Sequence, residues 1–132
     1  MDLFDCNLSG IDLTYFDLTG VRLMRAKLIK ATLINTKFNK AALSDAVLTS
    51  ANLMGAELRN AKALGANFDN ANFEGANLTE ADLSYAIITN ANFTNATLSN
   101  VRFEGAKYNR NTSFPKGMTS DEIKARGLFL VS

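Results

Sequence analysis

The chain has 132 residues, of which 47% are hydrophobic and 20% charged, with a formal net charge of +1, a composition that fits one domain with a buried core and excludes disorder. One cysteine and no histidine exclude a disulfide framework within the chain and a zinc site of cysteine and histidine. No run of 18 apolar residues occurs, and the acidic start MDLFDCNLSG lacks the basic and apolar regions of a secretory leader, so a cytoplasmic protein without a membrane span is expected.

The segment GANFDNANFEGANLTEADLSYA, residues 65 to 86, repeats a small residue every five positions, with a large apolar residue two places after it. The period holds from Met1 without insertion to AKYNR at residues 106 to 110, giving 22 units. Third slots hold fourteen leucines, five phenylalanines, Ile88, Tyr108 and the single small residue Ala63; fifteen first slots are alanine. All 22 charged residues of this region fall in the second, fourth or fifth slots. First and third slots therefore face a dry interior.

Those two slots stand at the strand spacing that puts side chains on one side. Because five is odd, a straight strand would send the next unit's pair to the opposite face, where the charge pattern forbids it. The chain must turn after every short strand. Six glycines (10, 20, 55, 65, 75, 105) and six asparagines (35, 60, 70, 90, 95, 100) occupy fifth slots, where a type II turn needs positive φ. A bend at fixed spacing winds the chain into a solenoid.

Units such as ANFEG, ANLTE, ADLSY and ANFTN resemble the pentapeptide-repeat proteins, whose pattern is A-[DN]-[LF]-x-x. Over residues 1–110 the resemblance implies an all-β fold, a right-handed quadrilateral β-helix with 20 residues per coil, hence about 5.5 coils and a length of roughly 26 Å. Residues 111–132 form a separate C-terminal cap in this reading.

Taken in chain order, the first coil replaces alanine by Cys6, Ile11, Phe16 and Val21, as Val101 does near the last; these read as plugs of a terminal repeat, with Cys6 a packed, reduced thiol. Its charges are all acidic: Asp2, Asp5, Asp12 and Asp17. The second coil carries only bases, Arg22, Arg25, Lys27, Lys30, Lys37 and Lys40. Pairing with the acidic coil is the plainer reading of that basic ring, a surface for an anionic partner the sharper one. Thr36 is the interior exception in the second coil. Residues 41–85 hold six acids against Arg59 and Lys62. Stacked columns should alternate in charge, Asp5, Arg25 and Asp45 in one and Lys62, Asp82 and Arg102 in another. Past residue 110, Thr119 and Glu122 form a capping box, Met118 and Ile123 a hydrophobic staple, and Gly127 a stop, so a short helix is expected near 120–126 over the last coil. The LFLV segment at 128–131 offers the alternative of an adhesive or dimer-forming tail.

Histidine-based catalysis and a Gly-rich phosphate loop are ruled out by composition and motif, and no catalytic, cofactor or metal residue is assigned. Asp5 and Asp45 are the one carboxylate pair on a shared face, with Arg25 between them. Asn7, Asn77, Asn92, Asn95 and Asn111 each begin an N-x-[ST] triplet as a by-product of the repeat. The expected function is a non-enzymatic structural or protein-interaction module presenting flat β faces. A topoisomerase-directed DNA mimic of the quinolone-resistance type is the distant alternative, lowered by the net charge and the basic coil; a scaffold for an anionic partner is the other. A protein partner is favoured over nucleic acid, and a monomer over a dimer. The partner-binding residues singled out are Ile34 and Met54, with Arg22, Arg25, Lys27 and Lys30 of the basic coil.

Overall fold

Ladders that pair residues twenty apart, through hydrogen bonds between residues 19 and 21 apart, organise the computed structural model, which describes residues 1–132. Parallel bridges run from Asp2 with Arg22 to Ile87 with Lys107, each pairing second slots of successive coils. The third-slot N–H donates to the second-slot carbonyl one coil ahead, Leu43 to Lys62 at 2.6 Å, and the second-slot N–H to the first-slot carbonyl one coil back, Lys62 to Ala41 at 2.9 Å. The fifth-slot N–H reaches the fourth-slot carbonyl ahead, as from Asp45 to Leu64 at 3.0 Å. The first-slot N–H closes the turn onto the preceding third slot, Ala46 to Leu43 at 3.0 Å.

One donor per unit, the fourth-slot N–H, has no place in this scheme. Where the second slot is Asp or Asn it supplies the acceptor: Oδ1 of Asn72 accepts from the Glu74 N–H at 3.0 Å and Oδ1 of Asp82 from that of Ser84 at 2.9 Å. A short side chain with an acceptor oxygen two bonds beyond Cβ makes this local ring, which is why Asp and Asn recur there. Every fifth-slot residue from Asp5 to Gly105 has positive φ, from 55° at Asn35 to 75° at Gly10. Gly and Asn take that conformation readily; Tyr15 and Tyr85 occupy it despite their bulk.

Five residues per turn and four turns per coil give a four-sided solenoid. Side 1 comprises the units that start at residues 1, 21, 41, 61, 81 and 101, and sides 2 to 4 follow at intervals of five. Each side ends at a corner of the same number, made by the fourth and fifth slots. In the middle coils the first and third slots are sealed: Leu23, Leu43, Ala46 and Phe73 are 0% exposed. Phe73 and Phe93 stack on successive coils, centroids 4.7 Å apart and planes 5° from parallel, and Phe68 meets Phe73 edge-on at 5.0 Å. Ala63 shares a coil with Phe68 and Phe73, so the small centre offsets two large ones. Thr36 is explained by its hydroxyl, which donates to the Leu13 carbonyl at 2.8 Å and so is satisfied while fully buried.

The two ends differ. In the first coil, Val21 at its upper boundary is 2% exposed, but Phe16 is 55% exposed, and Cys6, Ile11, Leu3 and Leu8 are half-buried. Phe16 therefore does not act as a plug: its coil packs on one side only, and it lies along the open rim. At the other end one residue is inserted, so that Asn92 pairs with Ser113. The Thr112 hydroxyl binds the Ile88 carbonyl at 2.9 Å, and Phe114 stacks over Phe93 with centroids 6.1 Å apart. The chain then turns into α1, Ser120–Ala125, with Thr119 as N-cap accepting the Glu122 N–H. Ile123 and Leu128 enter the core, and Arg126 donates to the Leu98 carbonyl at 2.9 Å. The strands flanking it, β1 (Lys107–Tyr108) and β2 (Phe129–Leu130), pair in parallel and continue side 2.

Candidate protein-interaction faces

The stacking places outward side chains in straight columns. On side 1 the second slots read Asp2, Arg22, Ala42, Lys62, Asp82 and Arg102; on side 2, Asn7, Lys27, Val47, Asn67, Ile87 and Lys107. Side 3 is polar and uncharged beyond Asp12, with Thr32, Asn52, Asn72 and Asn92, while side 4 runs Asp17, Lys37, Glu57, Asn77 and Thr97.

The six residues singled out in the sequence fall on three different surfaces. Arg22 on side 1 and Arg25 at corner 1 form ion pairs with the coil beneath, to Asp2 at 3.5 Å and Asp5 at 3.7 Å, and Arg25 also lies over the Phe4 ring at 5.6 Å. Lys27 stands on side 2 between Asn7 and Val47, and Lys30 at corner 2 between Gly10 and Ser50; neither has a carboxylate within 4.0 Å. Ile34 and Met54 are neighbours at corner 3, joined by the bond from the Asn35 N–H to the Met54 carbonyl at 2.9 Å. Tyr15 extends this corner through its N–H to the Ile34 carbonyl at 3.0 Å, and its side chain is 75% exposed. The sequence reading missed Tyr15 because it compared only equal slots, whereas fourth and fifth slots share a corner. Leu64 and Tyr85 at corner 1, both exposed, escaped for the same reason.

The expected charge columns exist in register, but of their rungs only Asp5 and Arg25 pair. Asp45 leans away from Arg25: its Oδ1 lies over Gly65, where a Cβ would stand only 2.7 Å from it. Lys62, Asp82 and Arg102 share a column without an ion pair shorter than 4.0 Å. Beside them a shallow open depression of ≈ 690 Å³ is lined by Lys62, Leu64, Glu80, Asp82 and Arg102 among others. In the first coil, the Thr14 hydroxyl donates to Asp12 and that of Thr19 to Asp17, both at 2.6 Å. These bonds, followed by those from the same residues' N–H groups, hold both carboxyls below the usual carboxylate range. No helix is long and apolar enough to cross a membrane.

A family model described as pentapeptide repeats, in eight copies, matches residues 2–39, 26–62, 36–75 and 76–107. The crystal structure of the pentapeptide-repeat protein Rfr23 from the cyanobacterium Cyanothece 51142 superposes with a TM-score of 0.84 at 28% identity, covering 86% of this chain and 90% of that one. A pentapeptide-repeat protein of the Arabidopsis thaliana thylakoid lumen superposes with a TM-score of 0.62 at 29% identity, covering 89% and 75%. QnrB1, a plasmid-mediated fluoroquinolone resistance protein, gives a TM-score of 0.63 at 21% identity over 99% and 80%, a likeness of fold alone. No curated protein matches the chain.

Proposed function

We propose that this chain, which belongs to the pentapeptide-repeat family, is a non-enzymatic protein-interaction module. In this reading it is a right-handed β-helix of about 5.5 coils that presents flat β faces and corners to a cytoplasmic protein partner. The supporting observation is corner 3, where Tyr15 and Met54, 75% and 39% exposed, flank Ile34 on rungs fixed by backbone hydrogen bonds. A tyrosine ring on a rigid support loses little freedom on docking, and both aromatic and methionine side chains are enriched in interface cores. The immobilised protein should retain one protein from a lysate of its own source, and the Ile34→Ser/Met54→Ser variant should lose it at an unchanged melting midpoint. Equal retention by the variant would remove corner 3 from the reading, and an empty column with the unmodified chain would remove the module itself.

A second reading, an anionic partner for the basic coil, is supported by Lys27 and Lys30, the two singled-out bases without ion pairs. Binding of an acidic partner that survives Lys27→Ala/Lys30→Ala would end it. The topoisomerase reading draws support from fold likeness only, and a supercoiling assay with and without the protein tests it.

A further inference from the structure

Side 1 carries a column of outward residues with charges in the order minus, plus, none, plus, minus, plus: Asp2, Arg22, Ala42, Lys62, Asp82, Arg102. Reversed, the same order becomes plus, minus, plus, none, plus, minus. Laid on the original, it opposes Asp2 to Arg102, Arg22 to Asp82 and Ala42 to Lys62, so every charged pair is of opposite sign and no like charges meet. We infer that side 1 is a self-docking surface on which a second copy of this chain packs with its solenoid axis antiparallel.

Geometry restricts the arrangement. A two-fold axis lying in the interface along the strand direction reverses the coil order but keeps lateral position, so second slots face second slots and corner 1 faces corner 1. A two-fold along the solenoid axis would set each coil against itself, Asp2 on Asp2 and Arg22 on Arg22. Sliding the antiparallel copy by one coil sets Asp2 on Asp82, or Arg22 on Arg102. The charge column thus selects both orientation and register, as opposed charges do at interfaces.

The residues of corner 1 fit the same register. Leu64, 46% exposed, lies opposite Ser44 of the second copy; Tyr85, 62% exposed, lies opposite Arg25, a cation over an aromatic ring; Asp5 lies opposite Gly105. The three upper charges of the column, Lys62, Asp82 and Arg102, have no ion pair in the isolated chain, and the depression beside them gives the opposing side chains room. Five steps of about 4.8 Å by five residues of about 3.3 Å make a contact of roughly 24 by 16 Å, or about 800 Å² counting both copies. That places it among weak interfaces, below the ~1,200 Å² of stable specific ones. The inference uses none of the residues at corner 3 and stands apart from the heterologous partner proposed there.

Sedimentation equilibrium of the full chain, up to about 1 mM protein so that even a millimolar dimer is populated, tests it. At about 20 mM salt the unmodified chain should form a dimer that weakens at about 500 mM salt. Arg22→Asp alone sets two carboxylates against each other across the interface, and Asp82→Arg alone sets two guanidinium groups against each other. Each should weaken the dimer about tenfold or more. An equimolar mixture of these two variants should dimerise again, because both cross-pairs are then opposite in sign. Lys37→Glu on side 4 should change nothing. A chain that stays monomeric at low salt, a dimer indifferent to either reversal, or a mixture that fails to recover would each overturn the inference; circular dichroism of both variants shows that they fold.

Discussion

The first coil and the second share one pattern of slots but are held in different ways. All four second-slot residues of the first coil, Asp2, Asn7, Asp12 and Asp17, accept the N–H two residues on, while of its apolar side chains only Leu13 and Leu18 are buried and Leu3, Cys6, Leu8, Ile11 and Phe16 stay partly or largely exposed along the rim. In the second coil Arg22, Lys27, Thr32 and Lys37 make no such bond, yet Leu23, Leu28, Leu33 and Phe38 are 0% exposed. A coil with neighbours on both sides is fixed by stacking and is free to use its second slots for charge. A coil with one neighbour relies on local turns. The repeat motif thus combines two separable stabilisers: inner coils such as that of Asn67, Asn72 and Asn77 use both, and the second coil shows that stacking seals the core without the turn bond.

The largest expected effect tests the stacking half. Phe73→Ala removes a ring stacked on Phe93 in a sealed interior and should cost about 3–5 kcal/mol. Phe16→Ala, in an equally apolar slot on the open rim, should stay within about 0.5 kcal/mol. Urea unfolding of the two variants measures both; similar losses would mean that the rim is packed as tightly as the middle and would dissolve the contrast between coils.

Overpacking sharpens the same contrast at a smaller scale. Ala71 is 1% exposed between Phe68 and Phe73, so Ala71→Leu should cost about 1–3 kcal/mol. Cys6→Leu, in the same slot of the first coil, and Thr79→Leu on a corner should be nearly neutral. Equal thermal midpoints for Ala71→Leu and Thr79→Leu would contradict the inward assignment of the first slot.

Much of this was legible because the charges never enter two of the five slots, which fixes the inward pair and forces a turn. Glycines and asparagines marked where the turn bends, and Thr119, Glu122 and Ile123 marked the short helix. Three features could not be read in that way. The use of Asp and Asn in second slots depends on which backbone donor is left over, which appears only once the coils are hydrogen-bonded. Thr36 depends on the Leu13 carbonyl one coil away. The surface needed the corner geometry, since residues in different slots, such as Tyr15 and Ile34, become neighbours only after the chain turns. The charge columns were legible in register but not in contact, because Asp45 chooses between Arg25 and the space over Gly65.

The turn half can be probed where it is missing. Ala42 lacks an acceptor for the Ser44 N–H, whereas Asn72 supplies one for Glu74. Asn72→Ala should lose about 0.5–1.5 kcal/mol, the net worth of one hydrogen bond, and Ala42→Asn should gain at most a similar amount. If the turn matters only at the rim, neither thermal midpoint will move.

The smallest expected effect concerns acid and is confined to the first coil. Asp12 and Asp17 have their carboxyls held below the ordinary range by the Thr14 and Thr19 hydroxyls. A group with a lowered folded pKa contributes stability that is complete above its unfolded value, about 3.9 for aspartate, and disappears as pH falls through the folded value. Asparagine keeps the Oδ1 that accepts the turn bond, as Asn7 shows with Ser9 at 3.1 Å, but does not titrate. The double variant Asp12→Asn/Asp17→Asn should therefore melt at or slightly below the unmodified chain near neutrality, where Asp17 loses its attraction to Lys37. Below about pH 4 the difference should narrow or reverse, because only the unmodified chain takes up protons at these sites on unfolding. Parallel melting profiles across that range would show that the two hydroxyl bonds do not couple protonation to folding, leaving the backbone turns alone to hold the rim.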